Sequence, residues 1–262
     1  MPPAPTLYGI DGCPAGWLVL SQPQGDIQAA PISASIYPTL DQLAPLLESD
    51  HIVAIDMPIG MPEPDHYPRT CDTTARQALG SRACCVFSAP CRGVLEHLND
   101  YPAASTWHRS ATGKAISRQA FNILAKIDEL NTFLSRQTGI IAPFHEVHPE
   151  LSFAHMNASS GKASPILAKK SSPEGAQARA TLIEQAFPQS PPLRELIQGL
   201  QPSLGPKTKH GKTRWALNDL YDAFAALWSA HRISTHTAQS FPSEHASKAP
   251  IDQTGKTMRI QA

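Results

Sequence analysis

Apolar and polar positions alternate in short blocks through the first sixty residues, and each block ends at a residue that stops a strand. Thr6-Leu7-Tyr8-Gly9-Ile10-Asp11 reads as a buried strand. Gly12, Pro14 and Gly16 turn the chain, and Trp17-Leu18-Val19-Leu20 opens a second strand. Gln22-Pro23-Gln24-Gly25 reads as a hairpin turn, with a third strand from Asp26 to Ile36. Thr39 to Leu47 predicts a short helix with Leu40, Leu43, Leu46 and Leu47 on one face. His51-Ile52-Val53-Ala54-Ile55-Asp56 is a continuous apolar run of parallel-strand character, closed by Pro58 and Gly60. From Met61 to Ile116 the pattern predicts loops and short helices. Helical periodicity returns over 118–136 through Ile123, Ile127, Leu130 and Leu134. Ile140 to Val147 predicts a fifth strand, Pro173 to Phe187 a helix capped by Ser172, and Asn218 to Ile233 the last long helix. The whole predicts one α/β domain over 1–262, with insertions at about 61–116 and 151–214.

Composition narrows the class. The 262 residues carry 22 Lys and Arg against 22 Asp and Glu, so a strongly basic duplex-coating protein is excluded. No apolar run approaches the ~18 residues of a membrane span, and Met1-Pro2-Pro3-Ala4-Pro5 lacks the regions of a signal peptide. A cytoplasmic protein with no membrane partner is the expectation. Cys13, Cys71, Cys84, Cys85 and Cys91 include no C-x-x-C pair, so they predict reduced thiols in place of disulfides or a zinc site.

The zero net charge hides an asymmetry. Residues 1–60 hold Asp11, Asp26, Asp41, Glu48, Asp50 and Asp56 with no Lys or Arg. Residues 151–214 hold Lys162, Lys169, Lys170, Arg179, Arg194, Lys207, Lys209, Lys212 and Arg214 against three glutamates. An acidic segment beside a basic one suits a metal-bound phosphate ester; a solvated basic loop is the plainer alternative.

Candidate chemistry lies in the acids. Asp11 and Asp56 each end a strand, and adjacent strands would bring both carboxylates to one sheet edge. Glu146 sits near another strand end, and Asp219 and Asp222 share a face at the start of the last helix. Converging acids repel unless a cation lies between them. Mg²⁺, a hard ion that prefers oxygen ligands, is the natural guest, with Mn²⁺ as its substitute. Arg69, Arg76 and Arg82 offer guanidinium forks to phosphate oxygens, with helix-surface ion pairs to Asp72 as the alternative. Lys126 projects from the long helix. His145-Glu146-Val147-His148 has its histidines three apart and is no zincin motif, and a G-x-S-x-G elbow is missing.

Gly9-Ile10-Asp11-Gly12-Cys13-Pro14-Ala15-Gly16-Trp17, Ala54-Ile55-Asp56-Met57-Pro58-Ile59-Gly60 and Asn218-Asp219-Leu220-Tyr221-Asp222-Ala223-Phe224 carry a resemblance. Arg69, Cys71-Asp72, Ala75-Arg76, Leu79-Gly80 and Arg82 with Val86-Phe87-Ser88-Ala89-Pro90 extend it, as do Ser117, Gln119, Lys126-Ile127, Glu129 and Glu146-Val147-His148-Pro149-Glu150. Together they resemble the domain of unknown function 429 family, a group of predicted ribonuclease H-like nucleases. The resemblance implies a ribonuclease H-like mixed five-stranded sheet flanked by helices. It further implies Asp11 as the first-strand acid, Asp56 as the fourth-strand acid, and Asp222, with Asp219, as acids of the last helix. Where the family commonly shows two acids, Asn218-Asp219 stands here, which removes position 218 from the candidates.

These readings favour a metal-dependent phosphodiester hydrolase acting on nucleic acid or a nucleotide, with Asp11, Asp56 and Asp222 as metal ligands. Catalytic candidates are Asp11, Asp56, Glu146, Asp219 and Asp222; substrate-binding candidates are Arg69, Arg76, Arg82 and Lys126. One alternative is an actin-like or sugar-kinase-type phosphotransferase, which Asp11-Gly12 suits and the missing Gly-Gly turn opposes. The other is a non-catalytic regulatory protein of the same fold.

Overall fold

The structure is a computed structural model that describes residues 4–137, 142–188, 193–204, 214–243 and 249–262. In chain order its elements are β1 (Thr6–Cys13), β2 (Gly16–Pro23), β3 (Ser33–Tyr37), α1 (Leu40–Leu43), β4 (Ile52–Asp56) and α2 (Thr70–Leu79). There follow α3 (Tyr101–Thr112), α4 (Arg118–Asn122), α5 (Leu124–Arg136), β5 (Phe144–Val147) and α6 (Pro149–Met156). The chain ends with α7 (Pro173–Ala186), α8 (Leu193–Leu204), α9 (Leu217–Ser234), β6 (Ser240–Phe241) and β7 (Ile260–Gln261).

Among the described residues the strands form one mixed sheet in the order β3-β2-β1-β4-β5-β7-β6. The expectation of five strands is therefore short by two, and both additions are two-residue strands that carry no hydrophobic period for a sequence reading to find. β2 runs antiparallel to β1 and β3, while β1, β4 and β5 run parallel.

The chain divides into two compact units. The first comprises Met1–Asp56, Gly139–Ala238 and Gln261–Ala262; the second comprises Met57–Thr138 and Gln239–Ile260.

In the first unit the core lies between one face of the sheet and α9. Alternation along a strand puts Leu7, Gly9 and Asp11 on the same face, and the parallel register sets Gly9 beside Ala54 and Asp11 beside Asp56. Across this face lies α9, buried at Leu220, Ala223, Phe224, Ala226, Leu227 and Ala230. Gly9 makes the approach possible. A Cβ there would stand 2.2 Å from the Leu227 nitrogen and 2.4 Å from the Ala223 oxygen, inside van der Waals contact. Tyr8, on the other side of the strand, sends its hydroxyl to the Leu46 carbonyl at 3.1 Å.

Four local expectations change. The third strand covers only Ser33–Tyr37, because the Gln22 amide donates to the Ile27 and Ala30 carbonyls and folds 26–31 into a loop. The first helix stops at Leu43 and tightens into a 3₁₀ turn over Ala44–Leu46, where Pro45 sits in the first turn. The helix of 118–136 breaks at Ile123 into α4 and α5. Of the expected fifth strand, Ile140 and Ile141 lie outside the described residues; the observed strand starts after Pro143, whose carbonyl accepts from the Val53 amide. Ser172 caps α7 by accepting from the Gly175 amide, with Pro173 at the first helical position.

The second unit is built from α2 to α5 and the C-terminal turns. Arg69 and Asp72 form a fully buried pair at the start of α2, with Nη2 donating to Oδ1 at 2.6 Å. Asp252 is the hub of the C-terminal turns: it accepts from the Met61, Thr254 and Lys256 amides and pairs with Arg92. No helix among the described residues is long and apolar enough to cross a membrane.

Candidate functional site

β4 ends at Asp56, and Asp11 stands level with it on β1, which runs on two residues further beside β2. Asp11 and Asp56 are direct register partners at the carboxyl edge of the sheet. Asp11 is buried, and its Oδ1 accepts from the Gly12 amide at 2.7 Å. From across the face α9 contributes Asp222, also buried, one residue before the Ala223 carbonyl that abuts Gly9. The close helix–strand approach thus sets a third carboxylate near the first two.

Their electrostatics record the convergence. Burial raises the pKa of Asp11 well above the ordinary carboxylate value, and Asp56, Asp222 and Asp219 raise it further. Burial raises Asp56 likewise, with Asp222 adding to it and Lys170 opposing. Asp222 is raised by burial against the pull of Lys170. These are the signs of negative charge held in a confined, poorly solvated place.

Lys170 answers part of that charge. Its Nζ donates to Asp222 Oδ2 at 3.0 Å, while about half of the side chain (51%) remains exposed. Burial of the ammonium works against its charge, but Asp222, and behind it Asp56 and Asp11, outweigh that and hold its pKa above the usual lysine value. The loop carrying it is fixed beneath α7: the Ser172 amide donates to the Lys169 carbonyl, and a Cβ on Gly175 would lie 2.0 Å from that oxygen. Behind Asp222, Glu150 on α6 pairs with Arg179 on α7, both buried, and Arg179 Nη1 also donates to the Gly175 carbonyl at 2.9 Å.

A family model described as protein of unknown function (DUF429) matches residues 9–247. The chain belongs to the DUF429 family. No curated protein and no solved structure matches it.

Within this DUF429 chain the sequence candidates separate. Asp11, Asp56 and Asp222 come together. Asp219 stands near enough to act on Asp11, yet its Oδ2 accepts from the Ala216 amide at 2.8 Å and closes the first turn of α9. Glu146 is set apart by register. It pairs with Ile55, so it points to the sheet face opposite Asp11 and Asp56, although its charge still adds to the repulsion on Asp56.

Arg69, Arg76, Arg82 and Lys126 all belong to the second unit. Arg69 corrects the phosphate-fork expectation. Its guanidinium is spent on Asp72 and on the Ile59 and Gly60 carbonyls, because a buried cation needs its donors satisfied. Arg76 donates from Nε to the Val86 carbonyl at 2.7 Å and from Nη1 to Ser88 Oγ at 2.9 Å. Arg82 sits half-buried in the 3₁₀ turn Gly80–Cys85, and Lys126 half-buried on α5.

Sequence reasoning missed Glu150, Lys170 and Arg179 as parts of the site. Only the sign asymmetry of 151–214 hinted at the two cations. Of the other bases in that segment, Lys207, Lys209 and Lys212 lie outside the described residues, as does the side chain of Arg194.

Among the described residues, one trio of metal-capable groups has all its ligand atoms within 4.8 Å of one another: Glu48, Asp50 and His51. It precedes β4, at the opposite end of that strand from Asp56. Glu48 and Asp50 are exposed, and His51 Nδ1 accepts from the Glu48 amide at 3.2 Å. That bond puts the neutral ring's proton on Nε2, which faces Asp50 at 4.0 Å. A cation there would have to displace this proton, so the trio is a weaker donor set than its spacing suggests.

Proposed function

We propose that the Asp11–Asp56–Asp222 cluster holds Mg²⁺ or Mn²⁺ and that the protein is a metal-dependent phosphodiester hydrolase acting on nucleic acid or a nucleotide. The observation that carries this reading is the register of Asp11 with Asp56 at one sheet edge, with Asp222 brought to them across Gly9. The order β3-β2-β1-β4-β5, with β2 alone antiparallel to its neighbours in the centre, supports the ribonuclease H-like reading of the fold.

The donor set fits a hard divalent ion. All three groups offer carboxylate oxygens, and a cation between them relieves both the burial of charge and the mutual repulsion that raise Asp11. When bound, such an ion activates a water and stabilises the leaving oxygen of the phosphodiester. The chain's own residues do the rest. Asp11 is oriented by the Gly12 amide, and Asp222 by Lys170. The half-exposed Lys170 ammonium retains donors for a non-bridging phosphate oxygen. The Glu150–Arg179 pair, being self-neutralising, braces α6 against α7 without adding net charge.

A non-catalytic role is favoured by one observation: Lys170 already compensates part of the acidic charge without any ion. Calorimetric titration with Mn²⁺ separates the two. The hydrolase reading expects binding by the wild type, its loss in Asp11→Asn and Asp56→Asn, and cleavage of single-stranded, duplex or mononucleotide substrates that stops on chelation. Cleavage that persists unchanged in excess chelator overturns it, and so does Mn²⁺ binding unaltered by Asp11→Asn.

A further inference from the structure

The second unit carries a half-open cavity of about 220 Å³ whose polar lining is Tyr67, Arg76, Ser88, His108, Lys114 and Ser117. His108 is 1% exposed, on α3. Its Nδ1 stands 2.6 Å from the Lys114 carbonyl oxygen. A carbonyl only accepts, so the ring proton lies on Nδ1 and Nε2 is left as a bare acceptor. That Nε2 is buried and has no hydrogen-bond partner among the described residues. Leaving such a group unsatisfied is costly, and protonation does not relieve it, since burial holds the ring below its ordinary pKa. The cavity wall therefore contains an acceptor waiting for a donor.

The opposite need is met by the cations. Arg76 is clamped through Nε and Nη1 to the Val86 carbonyl and Ser88, which fixes the guanidinium plane and leaves Nη2 uncommitted among the described residues. Lys114 is exposed, and its ammonium makes no ion pair among the described residues. Among the described residues no carboxylate lines the cavity. With His108 neutral, Arg76 and Lys114 give the lining two positive charges, flanked by the hydroxyls of Ser88 and Ser117. Phe87, Pro90 and Ile116 supply an apolar wall.

We propose that this cavity binds a small phosphate monoester, its dianion held by Arg76 and Lys114 and its organic part donating a hydrogen bond to His108 Nε2. Its volume suits a phosphorylated metabolite and falls below that of the pockets drug-sized ligands occupy, roughly 300–1,000 Å³. The site lies wholly in the second unit and needs no metal.

The test is calorimetry in EDTA with ribose 5-phosphate, ribose and inorganic phosphate as probes, joined to nitrogen-15 spectra of the histidine rings. Ribose 5-phosphate is expected to bind, with ribose weaker by roughly tenfold or more, as loss of charge-assisted hydrogen bonds requires. Lys114→Ala, at an exposed position that leaves the fold intact, should weaken ribose 5-phosphate by a similar factor. The His108 Nε2 resonance should shift with ribose 5-phosphate and not with inorganic phosphate. The proposal is overturned if ribose 5-phosphate fails to bind at millimolar concentration, or if Lys114→Ala binds it as well as wild type. Ribose or inorganic phosphate binding equally tightly overturns it too. Because chelator is present throughout, failure here leaves the reading of the aspartate cluster untouched.

Discussion

Replacing Gly9 with alanine tests the contact on which the aspartate cluster depends. The new Cβ would meet the Leu227 nitrogen at 2.2 Å, the Ala223 oxygen at 2.4 Å and the Leu227 Cα at 2.6 Å. All three are backbone atoms of α9, so no side-chain rotation relieves the overlap. Ordinary contact begins near 3.4 Å, and α9 must therefore retreat by roughly 1 Å from a strand held on both sides by β2 and β4. Overpacking of a well-filled core typically costs about 1–3 kcal/mol. A central strand facing rigid helix backbone belongs at the upper end, about 3 kcal/mol. At roughly 2–4 °C per kcal/mol for a chain of this size, the melting temperature should fall by about 10 °C. Guanidinium and thermal unfolding followed by circular dichroism measure this directly. Gly199→Ala is the control: it lies on α8 with nothing within 4 Å, so it should be neutral or slightly stabilising. A Gly9→Ala protein as stable as wild type would show that α9 does not lie where Asp222 needs it.

Two further outcomes concern stability. His231 Nε2 donates to Gln22 Oε1 at 2.6 Å, and burial lowers its pKa to about 4, with Asp26 opposing. The unfolded chain takes up this proton at the ordinary value near 6.5, the folded chain only near 4. Stability from His231 is thus fully present above about pH 6.5 and is lost as pH falls toward 4, by roughly 3 kcal/mol at the limit. His231→Gln keeps a donor without titrating, so the difference between wild type and variant in urea midpoints should change across that window; a constant difference refutes the assignment. Arg69→Met leaves the buried Asp72 with the Ala89 amide and the Cys71 thiol but no cation beside it, and should cost about 3–5 kcal/mol. The double variant Arg69→Met/Asp72→Asn should lose less than the two single losses combined, measured by the same unfolding curves; strict additivity would show the pair to be uncoupled.

The legible parts of this protein are those that local pattern encodes. Asp11 and Asp56 could be read because each closes an apolar run just before Gly12 or Pro58, and because two such runs must share a sheet. Helical spacing put Asp222 on one face with Asp219, and the family resemblance singled it out; Ser172 followed from cap chemistry. What stayed hidden depends on long separations. Lys170 meets Asp222 across 52 positions, and Arg179 meets Glu150 across 29, with no periodicity linking either pair. The third strand was read too long because Ile27 and Ala30 look like strand residues, while the Gln22 side chain that turns their backbone into a loop leaves no trace in hydropathy. Arg69 illustrates the same gap. Its guanidinium looks like an anion receptor in the sequence, yet it is consumed by Asp72 and the Ile59 and Gly60 carbonyls.

Lys170 gives the aspartate cluster an internal counterion. On the reading offered above, the polypeptide need not wait for a metal before it folds, because one of the three acids is already matched. If the cluster holds a metal, Lys170 would have to release Asp222 to it, and a titration would report the net of the two. A tethered rival of this kind tempers affinity while leaving the ligand geometry assembled, so occupancy would follow the ambient supply of divalent ion.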